Sequence, residues 1–427
     1  MKKLKLIVLL LLFPTIILFS GCGGDKNNTD NAVSGGNKPT TYTVTFMVEG
    51  EVYETKEVSS GNKVETPTEP QLSNYLFKGW FFEDEKWSFL DNVVNKNITL
   101  KAEFDYGYTY DDTIVTGISD YGKTLTELNI AEGMTEISKN AFLNCSYLKS
   151  VAIPNSVEII WIDSFKGCDG LEKLTTPFVG GSETYNSHLG YIFGASSYSK
   201  NNDYVPSSLK KVTLTNCKSI ENFAFYNCAN LTEIELPNTV TSIGSSSIMY
   251  CDSLASITIS SSVTNIGDNA FAYCENLENV IFAENSKLES IGEGSFKNCY
   301  SLTEIELPSS LINVGEDCFR NCESLVNVKF GENSKLENIG STAFAYCEVL
   351  SGVDIPSNVK MISSYAFLGC GNLTTVTFEK STGWIVSTNK NMYSPTSLLS
   401  LDLLNATTAA TYLTSTYLDY YWAQSAQ

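Results

Sequence analysis

A single sequence unit recurs about every 23 residues over most of this chain. Its leading leucine stands at positions 125, 148, 171, 209, 231, 254, 277, 302, 325, 350 and 373. The two steps of 25 residues carry the same insertion, Glu-Asn-Ser-Lys, at 284–287 and 332–335. A unit this short cannot bury its own apolar face, so successive units must stack into a solenoid with one continuous core.

Each unit has two parts with different periodicities. In the first part, for example residues 302–307, apolar and polar residues alternate, which predicts a short strand with one face inward. In the second part, apolar residues recur at offsets 0, 4, 5 and 8, as from Ile266 to Cys274, which predicts one face of a short helix. The sequence therefore predicts an α/β repeat solenoid with short strands plus short helices, in which the phenylalanines form a continuous column.

The second part of the unit carries a recognisable pattern, Ala-Phe-x-x-Cys-x-x-Leu, as in Ala270, Phe271, Cys274 and Leu277. This pattern resembles the BspA-type leucine-rich repeat, a family of cell-surface repeats, over residues 125–378. The resemblance implies a leucine-rich-repeat fold and an adhesin-like role in protein binding. The unit with Ser247-Ile248 and the unit with Cys318 depart from the pattern but keep a small residue followed by an apolar one.

The start of the chain indicates export. Lys2, Lys3 and Lys5 precede an apolar run from 6 to 19, and small residues stand directly before Cys22. This looks like a lipoprotein signal peptide at 1–21, which implies lipid attachment at Cys22. Phe19 departs from the leucine that is usual at its position. A plain transmembrane anchor is the alternative, although the run is short and no basic stop signal follows it.

A flexible tether and a small separate unit follow Cys22. Residues 22–41 are almost devoid of apolar side chains and are expected to form a flexible linker. In residues 42–104, alternating segments separated by turn residues predict short strands. The run from Tyr75 through Phe77 and Gly79 to Trp80, with the closing segment 98–104, is similar to the internalin B-repeat. That resemblance implies a β-grasp-like module ahead of the solenoid.

Both ends of the solenoid need covers, because an open end exposes a strand edge and apolar surface. Residues 105–124 are expected to cover the first end and residues 379–427 the last. In the tail, apolar and aromatic residues stand at roughly helical spacing, so it is expected to end in an amphipathic helix. These residues are Ala409, Tyr412, Leu413, Tyr417, Tyr420 and Tyr421.

Most of the 12 cysteines share one repeat position, three residues before a leading leucine. They are Cys145, Cys168, Cys228, Cys251, Cys274, Cys299, Cys322, Cys347 and Cys370. Neighbouring coils lie about 5 Å apart, farther than the ~3.8 Å between Cβ atoms that a disulfide prefers. We expect buried thiols rather than disulfides. With His188 as the only histidine and no Cys-x-x-Cys pair, no metal site and no cofactor are predicted.

Catalysis and nucleic-acid binding are not expected. A glycosidase could use the carboxylate pairs of the repeats, but one acid would need a water-poor environment, and strand faces of a solenoid are open to water. The chain lacks a phosphate loop and an His-Glu-x-x-His motif. Its formal net charge is −20, and loss of the three leader lysines takes it to about −23, which repels nucleic acid.

Two surfaces are candidates for binding. The concave strand face, where such solenoids usually bind, carries outward residues Glu233, Glu235, Thr258, Glu304, Glu306, Asn327 and Lys329. The alternative is that these residues only solubilise the sheet. An insertion at about 174–206 carries Tyr185, His188, Tyr191, Phe193 and Tyr198. Aromatic side chains among Gly, Ser and Asn make good recognition surfaces, but they could instead pack onto the core.

Three functions follow as hypotheses. The first is adhesin-like binding to host matrix proteins or other cell-surface proteins, which the family resemblance implies. The second is capture of glycans through the aromatic insertion, and the third is a passive envelope spacer. In each case contact with the membrane is expected through the lipid anchor only, and the oligomeric state is left open.

Overall fold

The computed structural model describes residues 41–72, 75–398 and 400–425. The predicted signal peptide, the predicted lipid attachment site at Cys22 and the predicted tether up to residue 40 lie outside the described residues.

The first folded part is a small mixed β-sheet. Its strands are β1 (Thr41–Val48), β2 (Glu51–Ser59), β3 (Leu76–Phe82), β4 (Glu85–Lys86) and β5 (Ile98–Asp105), in the order β2-β1-β5-β3-β4. Strand β1 is antiparallel to β2 and parallel to β5. Trp80 is buried, and its ring lies 4.9 Å edge-on from that of Phe46. Within 41–72 and 75–105, no helix is present.

The solenoid begins with a hairpin and continues as stacked units. The first strand of each unit is β8 (Glu127–Asn129), β10 (Ser150–Ala152), β12 (Lys173–Thr176), β13 (Lys211–Leu214), β15 (Glu233–Glu235), β17 (Ser256–Ile259), β19 (Asn279–Phe282), β21 (Glu304–Leu307), β23 (Asn327–Phe330), β25 (Gly352–Ile355) and β27 (Thr375–Phe378). They form two parallel sheets, β8 to β15 and β17 to β27, whose outward surface we call the strand face.

Nine of the eleven units also have a second, two-residue strand. These are β9 (Glu136–Ile137), β11 (Ile159–Ile160), β14 (Ser219–Ile220), β16 (Ser242–Ile243), β18 (Asn265–Ile266), β20 (Ser290–Ile291), β22 (Asn313–Val314), β24 (Asn338–Ile339) and β26 (Met361–Ile362). Strands β14 to β26 pair in parallel, with both residues of each strand in register with those of the next. The stacked solenoid is therefore held by two ladders of interunit hydrogen bonds.

The alternation predicted for the first strand is confirmed. In β21, Ile305 and Leu307 are buried, whereas Glu304 and Glu306 are exposed. The register keeps each inward side chain above its counterpart, so that Ile305 stands opposite Val328 of β23. One apolar column along the solenoid results, as the period-2 pattern requires.

The short helix expected in the second part of each unit is absent from the described units, which have turns there instead. The third and seventh residues after each two-residue strand adopt the left-handed backbone conformation. The pairs are Asn140 and Asn144, Asp163 and Gly167, Phe223 and Asn227, Ser246 and Tyr250, Asn269 and Tyr273, Gly294 and Asn298, Asp317 and Asn321, Thr342 and Tyr346, and Tyr365 and Gly369. A residue with positive φ interrupts a right-handed helix, so the offsets of 4 and 5 residues arise from successive turns.

The turns direct their hydrogen bonds to the neighbouring unit. The backbone N–H groups of Asn269, Phe271 and Tyr273 donate to the carbonyl oxygens of Glu293, Ser295 and Lys297 at 2.7–2.8 Å. A helix would have satisfied these donors within its own segment. Stacking therefore satisfies the polar backbone of the turns as well as burying their apolar side chains.

The predicted phenylalanine column is present. Phe271, Phe296, Phe319, Phe344 and Phe367 are fully or almost fully buried. Consecutive rings lie 5.1–5.4 Å apart, with interplanar angles between 0° and 11°. Phe296, Phe319 and Phe344 are thus covered on both faces by the rings of the adjacent units, whereas Ile248 takes the place of a ring in the unit before Phe271.

The cysteines form a second column beside the phenylalanines. All 11 described cysteines are buried, and none of them forms a disulfide. In seven units the thiol lies 3.0–3.3 Å from a carbonyl oxygen of the preceding unit, as Cys322 does from Phe296. Each thiol donates a weak hydrogen bond across the unit boundary. Burial raises the pKa of Cys274 to about 12 and that of Cys322 well above its usual value.

The insertion is an enlarged turn of the solenoid. It contains short 3-10 helices at Leu189–Phe193 and Tyr198–Lys200 and the helix α1 (Asn201–Tyr204). Phe193 is buried, and its ring lies 6.4 Å from that of Phe165. The backbone N–H of Phe165 donates to the carbonyl of Ile192, as Phe142 does to Ser164 one unit earlier. Part of the insertion therefore occupies the place of a normal turn.

Both ends of the solenoid are extended by strands. At the first end, β6 (Tyr108–Asp111) and β7 (Ile114–Ile118) form a hairpin, with β7 parallel to β9. A 3-10 helix follows at Gly122–Thr124. The hairpin contacts the start of the repeats through a hydrogen bond. The Tyr108 hydroxyl accepts it from the backbone N–H of Ala131 at 3.1 Å.

The last end differs from the sequence prediction in its final element. It comprises β28 (Trp384–Ser387), β29 (Thr396–Ser397), α2 (Ser400–Leu404), α3 (Ala406–Thr411), a π-helical turn at Tyr412–Thr416 and β30 (Tyr421–Gln424). The last described element is thus a strand, not an amphipathic helix. Strand β30 pairs antiparallel with β26 and β28. Of the residues predicted for the helix, Ala409 of α3 and Leu413 of the π-helical turn are buried on a helical segment, whereas Tyr421 lies on β30 beside the buried Trp422.

Candidate functional site

The strand face presents two outward residues from most of its strands. Glu233 and Glu235 of β15 are exposed, as are Thr258 of β17 and Glu304 and Glu306 of β21. Lys329 of β23 is exposed, and Asn327 of the same strand is half-buried. All seven residues predicted for this surface therefore point outward. They do not form one cluster, because they are distributed over four strands.

One carboxylate pair is occupied by internal contacts. The Lys211 ammonium lies 2.8 Å from a carboxylate oxygen of Glu233 and 2.6 Å from one of Glu235. The Thr213 hydroxyl also donates to Glu235 at 2.7 Å. The hydrogen bond from Lys211 is the main reason that the pKa of Glu235 lies below its usual value. Lys211 was missed as a partner in the sequence, although it stands in register with Glu233 one strand earlier.

The other carboxylate pair has no such partner. Within the described part of the chain, neither Glu304 nor Glu306 has an ion-pair partner within 4.0 Å. Lys329 stands opposite Glu306 in the strand register without closing an ion pair. The two carboxylates thus remain available to an external cation.

An open groove contains this second pair. It has a volume of about 520 Å³ and is lined by Glu304, Glu306, Lys329, Asn279 and Ile281, and by part of the first Glu-Asn-Ser-Lys insertion. The Ile281 side chain is 52% exposed. A second groove, of about 760 Å³, is lined by Glu233, Glu235 and Thr258, and both grooves include Ala283. Acidic, apolar and amide groups therefore meet on one side of the solenoid.

The insertion does not assemble its predicted aromatic residues into one site. Tyr185 is 74% exposed. His188 Nδ1 lies 3.0 Å from Asn201 Oδ1, and burial holds the pKa of His188 below its usual value. Tyr191 is partly buried against the core, with its ring 6.1 Å edge-on from that of His188. His188 and Tyr191 thus contact other parts of the insertion and the core.

Phe193 is a correction to the predicted binding site. Its side chain is only 2% exposed, because it continues the phenylalanine column. It cannot contact a ligand without unfolding of the insertion. Tyr198 remains at the surface, where its ring stacks on Phe223 at 4.0 Å and 12°.

The described residues show no arrangement typical of a metal site. No group of three or more His, Cys, Asp or Glu side chains among them could hold a metal ion. Across the same residues, no helix has the length and apolar character needed to cross a membrane.

Comparisons with known proteins identify the two parts of the chain separately. The sequence profile of the BspA type leucine rich repeat region matches six copies over residues 119–198, 200–303 and 289–412. The profile of the Listeria-Bacteroides repeat domain matches residues 42–103. The first profile covers more than half of the chain.

Individual proteins show more distant likenesses. A leucine-rich repeat protein of Bacteroides ovatus is 26% identical, with a TM-score of 0.39 over 60% of this chain and 73% of that one. A leucine rich cell surface protein of Faecalibacterium prausnitzii is 24% identical, with a TM-score of 0.28 over 59% of this chain and 73% of that one. A protein of Evansella cellulosilytica named "Putative membrane protein" is 30% identical over 98 residues, which are 20% of this chain and 15% of that protein.

Proposed function

This chain belongs to the BspA-type leucine-rich-repeat family, and from that premise we propose that it is a cell-surface, adhesin-like protein that binds protein partners through its strand face. Host matrix proteins and other cell-surface proteins are the partner classes. The observation that carries the proposal is the open groove in which Glu304 and Glu306 lie beside the exposed Ile281.

The groove has the composition of a protein-binding surface. An apolar side chain surrounded by polar and charged groups gives both buried area and orientation in an interface. The two unpaired carboxylates favour a partner segment that carries lysine or arginine beside an apolar residue. The region around Glu233 and Glu235 is a weaker candidate, because Lys211 already forms ion pairs with both carboxylates.

Neutralising the available carboxylates should weaken partner binding. For the variant with Glu304→Gln and Glu306→Gln, we expect the Kd for a protein partner to rise at least tenfold, or about 1.4 kcal/mol, because two charge-assisted contacts are lost. The matched control carries Glu233→Gln and Glu235→Gln on β15. It should change the Kd less than threefold. Equal effects of the two double variants, measured by surface plasmon resonance, would assign binding elsewhere.

The proposal also includes attachment to the membrane. Residues 1–21 would be removed as a signal peptide, Cys22 would carry the lipid, and residues 22–41 with the module at 42–104 would hold the solenoid away from the bilayer. The basic leader with Cys22 supports this, as does the membrane protein named among the relatives. Replacement of Cys22 by serine should move the protein from the membrane fraction to the medium. Retention of this variant in the membrane fraction after removal of residues 1–21 would contradict lipid attachment.

No chemical reaction is assigned to the chain. The strand-face carboxylates are exposed to water, whereas a glycosidase acid requires a water-poor environment that raises its pKa. A passive spacer role would be supported if neither of the two double variants, Glu304→Gln with Glu306→Gln or Glu233→Gln with Glu235→Gln, changed the attachment of the protein to any partner. Glycan capture through the insertion loses Phe193 as a contact residue, while Tyr185 and Tyr198 remain accessible.

A further inference from the structure

The parallel ladder of the strand face is interrupted between β19 and β21. Strands β17 and β19 pair over four residues, as do β21 and β23. Strands β19 and β21 pair at one position only, Asn279 with Glu304. The hydrogen bond from the backbone N–H of Thr303 to the carbonyl of Glu278 is also long, at 3.5 Å, whereas the equivalent bonds on either side measure 2.9 Å. The two strands therefore separate after their first pair.

Pro308 removes a further hydrogen bond from this junction. In the preceding unit, the residue after the strand donates its N–H to the unit before it, as Ala283 does to the carbonyl of Ile259 at 2.9 Å. Pro308 occupies the same position after β21 and has no N–H to donate. The carbonyl of Phe282 therefore lacks the hydrogen bond that the equivalent carbonyl of Ile259 accepts.

The gap between β19 and β21 opens into the groove of about 520 Å³ on the strand face. The groove is lined by three glutamates, Glu284, Glu304 and Glu306, and by one lysine, Lys329. None of these four side chains has an ion-pair partner within 4.0 Å among the described residues. The exposed Ile281 adds an apolar surface. The groove thus combines an excess of negative charge and of hydrogen-bond acceptors with one apolar side chain.

The insertion at 284–287 forms a fixed wall of the groove. The backbone N–H of Lys287 donates to the carbonyl of Ser261 at 3.0 Å, and the Ser286 hydroxyl accepts a hydrogen bond from the N–H of Leu288 at 3.3 Å. The second Glu-Asn-Ser-Lys insertion makes the same two bonds in its own unit. Because the wall is held by the preceding unit, a ligand pays little to order it.

From this geometry we infer that the groove receives an arginine side chain from an extended partner segment. The guanidinium group would be held by the groove carboxylates and the carbonyl of Phe282, and an apolar neighbour of the arginine would cover Ile281. A guanidinium carries five N–H donors in a planar fork, matches carboxylates in a bidentate manner and is more weakly hydrated than an ammonium. The inference rests on the proposed protein binding and names the side chain that the strand face recognises.

Other cations use fewer of these features. A lysine ammonium is a compact, strongly hydrated charge. Calcium requires many oxygen ligands, and the described residues include no group of three or more His, Cys, Asp or Glu side chains that could hold a metal ion. The second groove is a contrast, since β15 and β17 are also unpaired there but Lys211 already forms ion pairs with Glu233 and Glu235.

Fluorescence anisotropy of the full-length protein with three labelled peptides tests this inference. The probe is Gly-Ser-Arg-Ser-Leu-Ser-Gly, in which arginine and leucine lie on one side of an extended chain. The two matched peptides carry lysine or citrulline in place of the arginine. We expect saturable binding of the arginine peptide and about fivefold weaker binding of the lysine peptide. The citrulline peptide keeps the shape but not the charge and should bind about tenfold more weakly.

Four variants locate the contact, with melting temperatures to show that each is folded. Glu306→Gln should weaken binding of the arginine peptide about tenfold. Glu233→Gln, in the second groove, should leave it unchanged. Pro308→Ala supplies an N–H for the carbonyl of Phe282, so the preference for arginine over lysine should fall below about twofold. Pro356→Ala changes the matching proline two units later and should leave that preference intact.

Equal affinities for the arginine and lysine peptides, or for the arginine and citrulline peptides, would overturn the inference. No binding of the arginine peptide at millimolar concentration would do the same, and loss of its binding on addition of a calcium chelator would assign the acceptors to a metal ion instead. A protein partner that loses affinity for the Glu304→Gln and Glu306→Gln double variant, while the peptides bind equally, would leave the proposed protein binding standing and remove only the choice of arginine.

Discussion

Replacement of Phe319 by alanine should lower the free energy of unfolding by about 3–5 kcal/mol, the range for removing a buried aromatic ring. Phe319 is fully buried, and its ring is stacked between those of Phe296 and Phe344 at 5.4 and 5.3 Å. Its removal would leave a cavity between two units that cannot collapse without breaking the hydrogen-bond ladders on either side. Urea denaturation followed by circular dichroism measures the loss.

Two comparisons make the result specific to stacking. Tyr185→Ala removes an exposed ring and should change the stability by less than about 0.5 kcal/mol. Combining Phe319→Ala with Phe296→Ala should be non-additive by about 0.5–3 kcal/mol, because the two rings are in contact. Combining it with Phe142→Ala, several units away, should be additive. A loss below about 1 kcal/mol for Phe319→Ala would show that the column does not hold the solenoid together.

The buried thiols should make the protein unfold in alkali. Burial raises the pKa of Cys168, Cys217, Cys274 and Cys370 to about 12, from the ordinary value of 9.0. A group whose pKa is raised in the folded state stabilises that state below the unfolded pKa. This contribution is lost as the pH rises from about 9 through 12, since the unfolded chain releases its protons first.

The size of the alkaline effect follows from the number of thiols. Each such thiol costs about 1.4 kcal/mol per pH unit in this window, so four of them cost on the order of 5 kcal/mol per unit. Typical domains are stable by only about 5–15 kcal/mol, so cooperative unfolding is expected at about pH 10–11. Circular dichroism and thiol titration with a disulfide reagent should report the same transition.

Tyrosine side chains also lose protons in alkali, with an ordinary pKa of about 10. A variant that lacks one cysteine separates the effect of the thiols on the free energy of unfolding from the effect of the tyrosines. Cys274→Ala should lower the stability at neutral pH through the lost methylene-sized volume. Between pH 9 and 12, however, its free energy of unfolding should fall less steeply than that of the wild type, by about 1.4 kcal/mol per pH unit. An unchanged slope, or a wild-type protein that stays folded with unreactive thiols at pH 12, would argue against the buried column.

The sequence was sufficient to predict the stacking but not the backbone of the turns. Alternation in residues 302–307 and the recurring phenylalanines identified the strand and the aromatic column. The offsets of 4 and 5 residues fit a helix as well as consecutive turns, and only the recurrence of Asn at 140, 144, 269, 298 and 321 could have distinguished them. Those positions require positive φ, which Asn tolerates better than most residues.

Contacts between units were harder to predict than contacts within them. The ion pairs of Lys211 with Glu233 and Glu235 depend on the strand register, which places residues 22 and 24 positions apart side by side. The burial of Phe193 could not be predicted, because the enlarged turn breaks the 23-residue count.

The measurement that tests the account most directly is binding of the chain from residue 41 onward to a panel of matrix and cell-surface proteins, with residues 41–105 as a control. The account predicts saturable binding to at least one protein, carried by the solenoid and weakened at least tenfold by Glu304→Gln with Glu306→Gln. Binding by the 41–105 module alone, or no binding to any protein at micromolar concentration, would contradict a protein-binding strand face.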